Sequence, residues 1–165
     1  MMLTLFFNVQ FDKDKKVELG DGSDENHMNI CFTSKKLMSN IEYKGIHHID
    51  GTYRISIYGF PLVVYGVRDQ KGRFHPVCYM ITSHETYEDF VHFYQGICDL
   101  CDLMDIEYDY DYIMQDACPA SRSAILEFFP IAFAQDFKVG TAYFFSIAII
   151  QLENFLNILP RPVEY

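Results

Sequence analysis

The sequence predicts an α/β fold built on a mixed β-sheet, in which a three-strand meander precedes strand–helix units with flanking helices. Residues 48–82 hold three runs rich in β-branched and aromatic residues, separated by short turns. Residues 86–104 then carry apolar residues at three- and four-residue steps, which is typical of an amphipathic helix. A further strand-like run and a second amphipathic segment follow. This order favours helices packed on the faces of one sheet.

The size and charge of the chain limit its organisation and its partners. The chain has 165 residues, of which 50% are hydrophobic, so it can bury one sizeable core and is expected to form one domain. Its 13 basic and 23 acidic residues give a formal net charge of −10, which opposes non-specific binding to a polyanion. Either an affinity for nucleic acid resides outside this chain, or the chain has lost it, or it never had it.

The N-terminal part predicts little regular structure. Residues 1–30 begin with a short strand-like piece and continue into a polar, turn-rich loop. Residues 33–41 carry apolar residues at helical spacing and predict a short helix. Thr33 or Ser34 would accept a hydrogen bond from a free amide at the start of that helix, as N-cap residues do.

The meander is predicted from three consecutive runs. The first covers residues 48–58 and ends at a Gly-Phe-Pro turn. Residues 62–67 are almost continuously apolar, as expected of a strand that is covered on both faces. Residues 68–73 predict a hairpin connection, and residues 74–82 predict the third strand.

Two helices and one strand are predicted after the meander. The helix over residues 86–104 has the most regular pattern in the chain, and residues 110–115 predict a short strand. Residues 118–129 predict a second amphipathic helix, with Pro119 tolerated in its first turn and Pro130 stopping it.

The cysteine count and the N-terminus favour an intracellular protein, nuclear or cytoplasmic, that is not secreted. Five cysteines make an odd number, and the N-terminus lacks the basic flank and the long apolar run of a secretory signal. The apolar stretch from Ala142 to Leu159 is interrupted by polar residues, and its longest run is shorter than the roughly 18 residues of a membrane span. A buried or partner-facing helix is expected there, and no membrane span.

Three patterns contain residue types that bind metals. Cys98-x-x-Cys101 is a single pair inside a predicted helix, without the further ligands of a zinc site, and core cysteines are expected. The acidic series between residues 99 and 111 lacks the glycine and terminal glutamate of a calcium loop, so a solvated helix end is expected. His47 and His48 are adjacent on a strand and face opposite ways, so only one could approach a metal beside residue 50.

Two carboxylates form the main candidate site. Asp50 and Asp116 each lie on or at the end of a predicted strand. Neighbouring strands lie about 4.8 Å apart, and paired carboxylates can hold two divalent cations about 4 Å apart for phosphoryl transfer. The alternative is that each aspartate is a solvated or capping residue at a strand end.

Motifs around these aspartates occur in a characteristic order. Ile49-Asp50-Gly51-Thr52-Tyr53 is followed by the strand-like runs 61–67 and 75–83, a helix start at 85–90, Met114-Gln115-Asp116 and the helical segment 124–130. This series resembles the catalytic core of the Mutator-like element (MULE) transposases, a branch of the ribonuclease-H-like superfamily. The resemblance covers roughly residues 32–130. It sets residues 1–31 apart as an N-terminal extension and residues 131–165 as a divergent, apolar C-terminal segment.

The resemblance implies a ribonuclease-H-like fold and a metal site that uses Mg²⁺ or Mn²⁺. It gives Asp50 and Asp116 the places of the first two members of an Asp-Asp-Glu triad that cuts and joins DNA strands. The third member follows a Cys/His segment in the family, whereas residues 131–165 contain no cysteine or histidine. Glu153 is the remaining candidate, and a solvated position on a helix edge is the alternative for it. The family's zinc-finger-like DNA-binding module has no counterpart in this sequence.

The expected function is that of a DNA transposase-like domain, performing metal-dependent DNA strand cleavage and transfer, present here as a truncated or inactive fragment. The alternative is a non-enzymatic remnant, or a recruited protein-interaction module, that keeps the fold while its metal site is idle. A third hypothesis is an active nuclease that uses Asp50, Asp116 and an unidentified third ligand. The apolar segment from Tyr143 to Ile150 would favour a homodimer if it did not pack on the sheet.

Overall fold

A seven-stranded mixed sheet forms the centre of the molecule. The computed structural model describes residues 4–52, 59–108, 110, 112–115, 118–129 and 133–136; for Gln10 and residues 133–136 only the backbone is described. The strand order in the sheet is β1-β4-β7-β6-β5-β8-β9, and β2 and β3 form a separate two-stranded hairpin.

The first four strands are β1 (Thr4–Phe7), β2 (Gln10–Phe11), β3 (Val17–Glu18) and β4 (Asn29–Ser34). β4 pairs antiparallel with both β1 and β7, so it extends the sheet beyond the meander. The sequence predicts a loop up to residue 30 and a helix from residue 33, and no strand here. The strand has no clear sequence signal because it is short and its two partners are distant in the chain. β4 also crosses the boundary expected at residue 31, and that division of the chain stays a prediction.

The short helix α1 (Lys35–Met38) follows β4 directly and continues as a 3-10 helix over Ser39–Glu42. The Ser34 hydroxyl accepts a hydrogen bond from the Leu37 amide at 3.2 Å. The predicted helix and one of its two candidate N-caps are therefore confirmed.

The meander consists of β5 (Gly45–Thr52), β6 (Leu62–Asp69) and β7 (Phe74–Thr82), paired antiparallel. β5 begins three residues before the predicted start, and residues 53–58 of the predicted strand lie outside the described residues. Residues 62–67 are all buried, which confirms a strand covered on both faces. The predicted hairpin turn is also confirmed, with Gly72 at a φ of +79°.

The remaining elements are α2 (Tyr87–Met104), β8 (Tyr112–Gln115), α3 (Pro119–Phe128) and β9 (Phe133–Asp136). β8 pairs parallel with β5, and β9 pairs parallel with β8. The three elements predicted after the meander are confirmed to within two residues at each described end. β9 was not predicted, and it lies in the segment that the sequence set apart as divergent.

The main core lies between the sheet and the pair of helices α2 and α3. Phe93, Tyr94 and Ile97 of α2 are fully buried in it. Phe7 of β1 stacks on Phe93 with ring centroids 6.2 Å apart. A Cβ atom at Gly96 would lie 2.6 Å from the Phe7 ring, so glycine is needed for this close approach between β1 and α2. A smaller cluster on the sheet contains Phe32, Leu62, Val64, Phe74 and Tyr79.

All five cysteines are free thiols. Cys101 is buried and Cys98 is partly buried, which confirms them as core residues. Burial raises the pKa of Cys98 to about 11 and that of Cys101 to about 12. Among the described residues, no helix is both long enough and apolar enough to cross a membrane. The helix expected between Ala142 and Leu159 lies outside those residues.

The α2 packing leads to a stability prediction. Phe93→Ala should lower the free energy of unfolding by about 3–5 kcal/mol, because it leaves a cavity beneath Phe7. Urea unfolding followed by circular dichroism measures the change. Leu103→Ala on the same helix is the control and should change stability by less than about 0.5 kcal/mol, since Leu103 is 81% exposed. Equal losses in the two variants would contradict this packing.

Candidate functional site

Asp50 lies near the end of β5, the strand between β6 and β8 in the sheet. It is half-buried and pairs with Val64 of β6. Its neighbour Ile49 belongs to the main core under the helices. Because successive side chains of a strand face opposite sides, Asp50 lies on the other face of the sheet from Ile49.

The parallel pairing of β5 with β8 sets the register near Asp50. His47 pairs with Ile113, and His48 pairs with Met114. Gln115 ends β8 and is 3% exposed, and its side-chain oxygen accepts a hydrogen bond from Ser121 Oγ at 2.8 Å. This bond ties the end of β8 to the first turns of α3.

The structure describes one of the three predicted site residues. Asp50 is described, whereas Asp116 and Glu153 lie outside the described residues. The structure therefore does not test whether the three carboxylates meet.

A further carboxylate, Glu85, lies against β5. A Cβ atom added at Gly51 would lie 2.8 Å from Glu85 Oε1, so the absence of a side chain at Gly51 leaves room for this group. Glu85 immediately precedes Thr86, the N-cap of α2. The sequence contained no sign of this proximity, because it depends on how the connection from β7 to α2 crosses the end of β5.

His47 and His48 face opposite sides of β5, as predicted from their adjacency. His47 is buried, and its Nδ1 is hydrogen-bonded to the Tyr65 hydroxyl at 2.6 Å. The ring of His48 meets the ring of Phe74 edge-on, with centroids 6.3 Å apart. Burial, followed by the positive charge of Arg68, lowers the pKa of His48 to about 4. His48 is therefore a neutral imidazole at physiological pH.

A second polar cluster surrounds Asp89 in the first turn of α2. Asp89 is 2% exposed, and its Oδ1 lies 3.0 Å from His27 Nδ1 and accepts a bond of 2.7 Å from Asn29 Nδ2. Its Oδ2 accepts from the Thr86 amide and hydroxyl, each at 2.9 Å, within a capping box. Burial raises the pKa of Asp89, but these hydrogen bonds outweigh it and hold the pKa below its ordinary value.

The Asp50 carboxylate is a hard oxygen ligand of the kind that Mg²⁺ and Mn²⁺ prefer, so its chemistry fits such an ion. Among the described residues, no group of three or more His, Cys, Asp or Glu side chains is placed to hold a metal ion. A complete site would therefore need a ligand from another part of the chain. The acidic residues between 99 and 107 are exposed, which confirms a solvated helix end there.

The part of the chain that forms these strands and helices matches a known protein family. The model of the MULE transposase domain matches residues 46–135, more than half of the chain. The chain belongs to the MULE transposase domain family. The match runs from β5 to β9 and therefore contains the meander except for Gly45, together with α2, β8 and α3. No curated protein matches the sequence.

Membership of the MULE transposase domain family indicates a transposase-like function and an interaction with DNA. The match begins at residue 46, later than the residue 32 expected from the sequence motifs. It also reaches five residues beyond residue 130 and includes most of β9. The family core therefore corresponds to the meander and the parallel strands, and β1 and β4 extend its sheet at one edge.

The position of Glu85 can be tested with glycine variants. Gly51→Ala should change stability by less than about 0.5 kcal/mol, because only the end of the flexible Glu85 side chain must move. Gly45→Ala should cost about 2 kcal/mol or more, because its Cβ atom would lie 2.0 Å from the Arg68 carbonyl oxygen. Urea unfolding measures both. A loss in Gly51→Ala as large as that in Gly45→Ala would show that Glu85 cannot give way.

The Asp89 cluster should make stability depend on pH. Asp89→Asn should lower the free energy of unfolding by about 1–3 kcal/mol near pH 7, since a buried carboxylate loses hydrogen bonds. The native pKa lies below the unfolded value, so this stabilisation is present above the unfolded pKa and is lost as pH falls through the native pKa. The difference from wild type should therefore shrink below about pH 4.

Urea unfolding at neutral and acidic pH measures this dependence for Asp89→Asn. Asp102→Asn on the same helix is the matched control, because Asp102 is exposed. A wild-type advantage over Asp89→Asn that stays constant down to about pH 3 would contradict an ionised, hydrogen-bonded Asp89.

Proposed function

We propose that this MULE transposase domain is the catalytic core for metal-dependent DNA strand cleavage and transfer, with Asp50 and Asp116 as its metal-binding carboxylates. The observation that carries the proposal is the parallel register of β5 and β8. His48 pairs with Met114, and each proposed carboxylate follows its member of that pair by two residues. Continued along both strands, this register would bring the two carboxylates to neighbouring positions about 4.8 Å apart.

The proposed fold is ribonuclease-H-like. An antiparallel meander of β5, β6 and β7 precedes α2, β8 and α3, and β8 joins the meander parallel to β5. This order supports the fold that the sequence motifs implied. It also places the strand bearing Asp50 between partners on both of its edges.

The cofactor proposed for this site is Mg²⁺ or Mn²⁺, which when bound would polarise a phosphoryl oxygen and activate an attacking oxygen. Asp50 and Asp116 would hold the ion through their carboxylate oxygens. Glu153 is the candidate for a further ligand, because of its position in the sequence after the second aspartate. Glu85 lies beside Gly51, on the face of β5 opposite to Asp50, and is therefore not placed to share an ion with Asp50.

The charge of the chain bears on how DNA would reach this site. A net charge of −10 repels a polyanion, and release of counterions requires lysine and arginine contacts with phosphates. We therefore propose that the domain acts on DNA only together with a separate basic DNA-binding element, and that it does not transpose DNA alone.

The second candidate function is a non-enzymatic interaction module that keeps the fold without a working metal site. The acidic charge of the chain favours it. Homodimerisation through the segment from Tyr143 to Ile150 stays a prediction, since that segment lies outside the described residues.

Isothermal titration of Mn²⁺ into the purified full chain tests the metal site. Saturable binding is expected for the wild type and should be lost in Asp50→Asn and in Asp116→Asn, because each removes a charged oxygen ligand. Glu153→Gln shows whether Glu153 contributes a further ligand. Glu107→Gln is the control, because Glu107 is exposed and lies outside the proposed site.

Binding that is absent in the wild type, or unchanged in both aspartate variants, would contradict the enzymatic proposal and favour the interaction module. Binding that depends on both aspartates would justify an assay of strand cleavage on a DNA duplex with Mn²⁺. Circular dichroism of each variant separates loss of a ligand from loss of the fold.

A further inference from the structure

A polar cavity of about 330 Å³ lies beside the start of α2, and Asp50 does not line it. Its walls come from the chain after β1, the end of β3, the loop before β4 and the first turns of α2. The lining residues that matter for its chemistry are Glu18, His27, Asn29, Glu88, Asp89 and His92. This volume is within the range of small-molecule pockets and far above the roughly 30 Å³ occupied by a water molecule.

The acidic side chains give the cavity wall a negative charge. Three carboxylates line it: Asp89 is buried, and Glu18 and Glu88 are exposed at the rim. In the part of the chain that the structure describes, no lysine or arginine lines the cavity. The wall therefore attracts cations and repels phosphate or carboxylate ligands.

Two histidines also line the wall, and each is held by one hydrogen bond of its ring. His92 Nε2 lies 2.9 Å from the Asn8 carbonyl oxygen, which can only accept, so Nε2 carries the proton. His27 Nδ1 donates in the same way to the ionised Asp89 carboxylate at 3.0 Å. These contacts engage one nitrogen of each ring, Nε2 of His92 and Nδ1 of His27.

The side chain of Asn29 provides a second, independent observation, because one of its hydrogen-bond acceptors is not used. Its side-chain nitrogen donates to Asp89, which fixes the orientation of the amide. Its side-chain oxygen is buried and has no hydrogen-bond partner among the described residues. A buried acceptor without a partner is costly, and a ligand that donates a hydrogen bond would relieve that cost.

The same wall is poorly suited to a single metal ion. Among the described residues, no three His, Cys, Asp or Glu side chains converge as metal ligands would. The acceptors are instead spread over a cavity large enough for an organic group. A guanidinium offers five N–H donors in a planar fork and one positive charge, which matches several separated acceptors better than a compact ammonium does.

We propose that this cavity binds a guanidinium group, carried either by a free small molecule or by the arginine side chain of a polypeptide. Glu18 and Glu88 attract the cation at the rim and accept from its N–H groups, and the side-chain oxygen of Asn29 accepts a further N–H. Asp89 holds the inner wall in place through its bonds to His27 and Asn29.

NMR titration of the ¹⁵N-labelled full chain with L-arginine tests the proposal. Saturable shifts should appear at residues that line the cavity, with a dissociation constant on the order of 1 mM. L-Citrulline is the matched control ligand, because its neutral ureido group replaces the guanidinium at nearly the same size. The Glu18→Gln/Glu88→Gln variant should bind arginine about tenfold more weakly, because it lacks both charges at the rim. The control variant Asp102→Asn should bind as the wild type does.

Two further ligands distinguish the sources of the guanidinium. Agmatine lacks the carboxylate of arginine, and a capped Gly-Arg-Gly peptide presents only the side chain. Tight binding of agmatine with weak binding of the peptide supports a free small molecule, and equal binding supports a polypeptide side chain.

Several results would overturn the proposal. These are an absence of saturable shifts with arginine, equal shifts with citrulline, binding of lysine amide as tight as that of arginine, or full affinity in the Glu18→Gln/Glu88→Gln variant. Thermal unfolding of each variant confirms that the cavity is still folded when binding is measured.

Discussion

β5 has an antiparallel neighbour on one edge and a parallel neighbour on the other, and most of the fold depends on this arrangement. β6 pairs with β5 antiparallel, whereas β8 pairs with it parallel. β7 runs in the same direction as β5 and β8, so the chain must leave the sheet after β7 and cross back before it can form β8. Helix α2 is part of that crossover, and it covers one face of the sheet with Phe93, Tyr94 and Ile97. The same pairing brings the end of β8 beside the half of β5 that carries Asp50.

The N-terminal segment belongs to the same sheet although the family match begins after it. β4 pairs with β7, and β1 pairs with β4, so residues outside the match extend the sheet on one edge. The Asp89 carboxylate connects this segment to the family core, because it is bound to His27 and Asn29 on one side and to Thr86 on the other. A buried carboxylate with several bonds fixes the start of α2 in one position, since each bond that is broken leaves the buried charge with less compensation.

The acidity of the chain is consistent with the chemistry proposed for both of its sites. Carboxylates at Asp50 and Asp116 would attract divalent cations, and those around the cavity at α2 would attract an organic cation. The same charge disfavours direct association with phosphates, so DNA would have to be held by a separate basic surface. The two sites differ in their setting, because Asp50 is on a sheet strand while the cavity lies between loops and the start of a helix.

Secondary-structure elements that depend on short stretches of sequence could be predicted from the sequence alone. The period of apolar residues identified α2, the unbroken apolar run identified β6, and the capping pattern located the start of α1. The sequence also carried the motifs of the family and the candidate aspartates. Only the tertiary structure decided that residues 29–34 and 133–136 are strands, because their partners are remote in sequence. The tertiary structure likewise decided that Glu85 lies beside Gly51 and that His27, Asn29 and Asp89 meet, because contacts between distant residues follow from packing and leave no periodic pattern in the sequence.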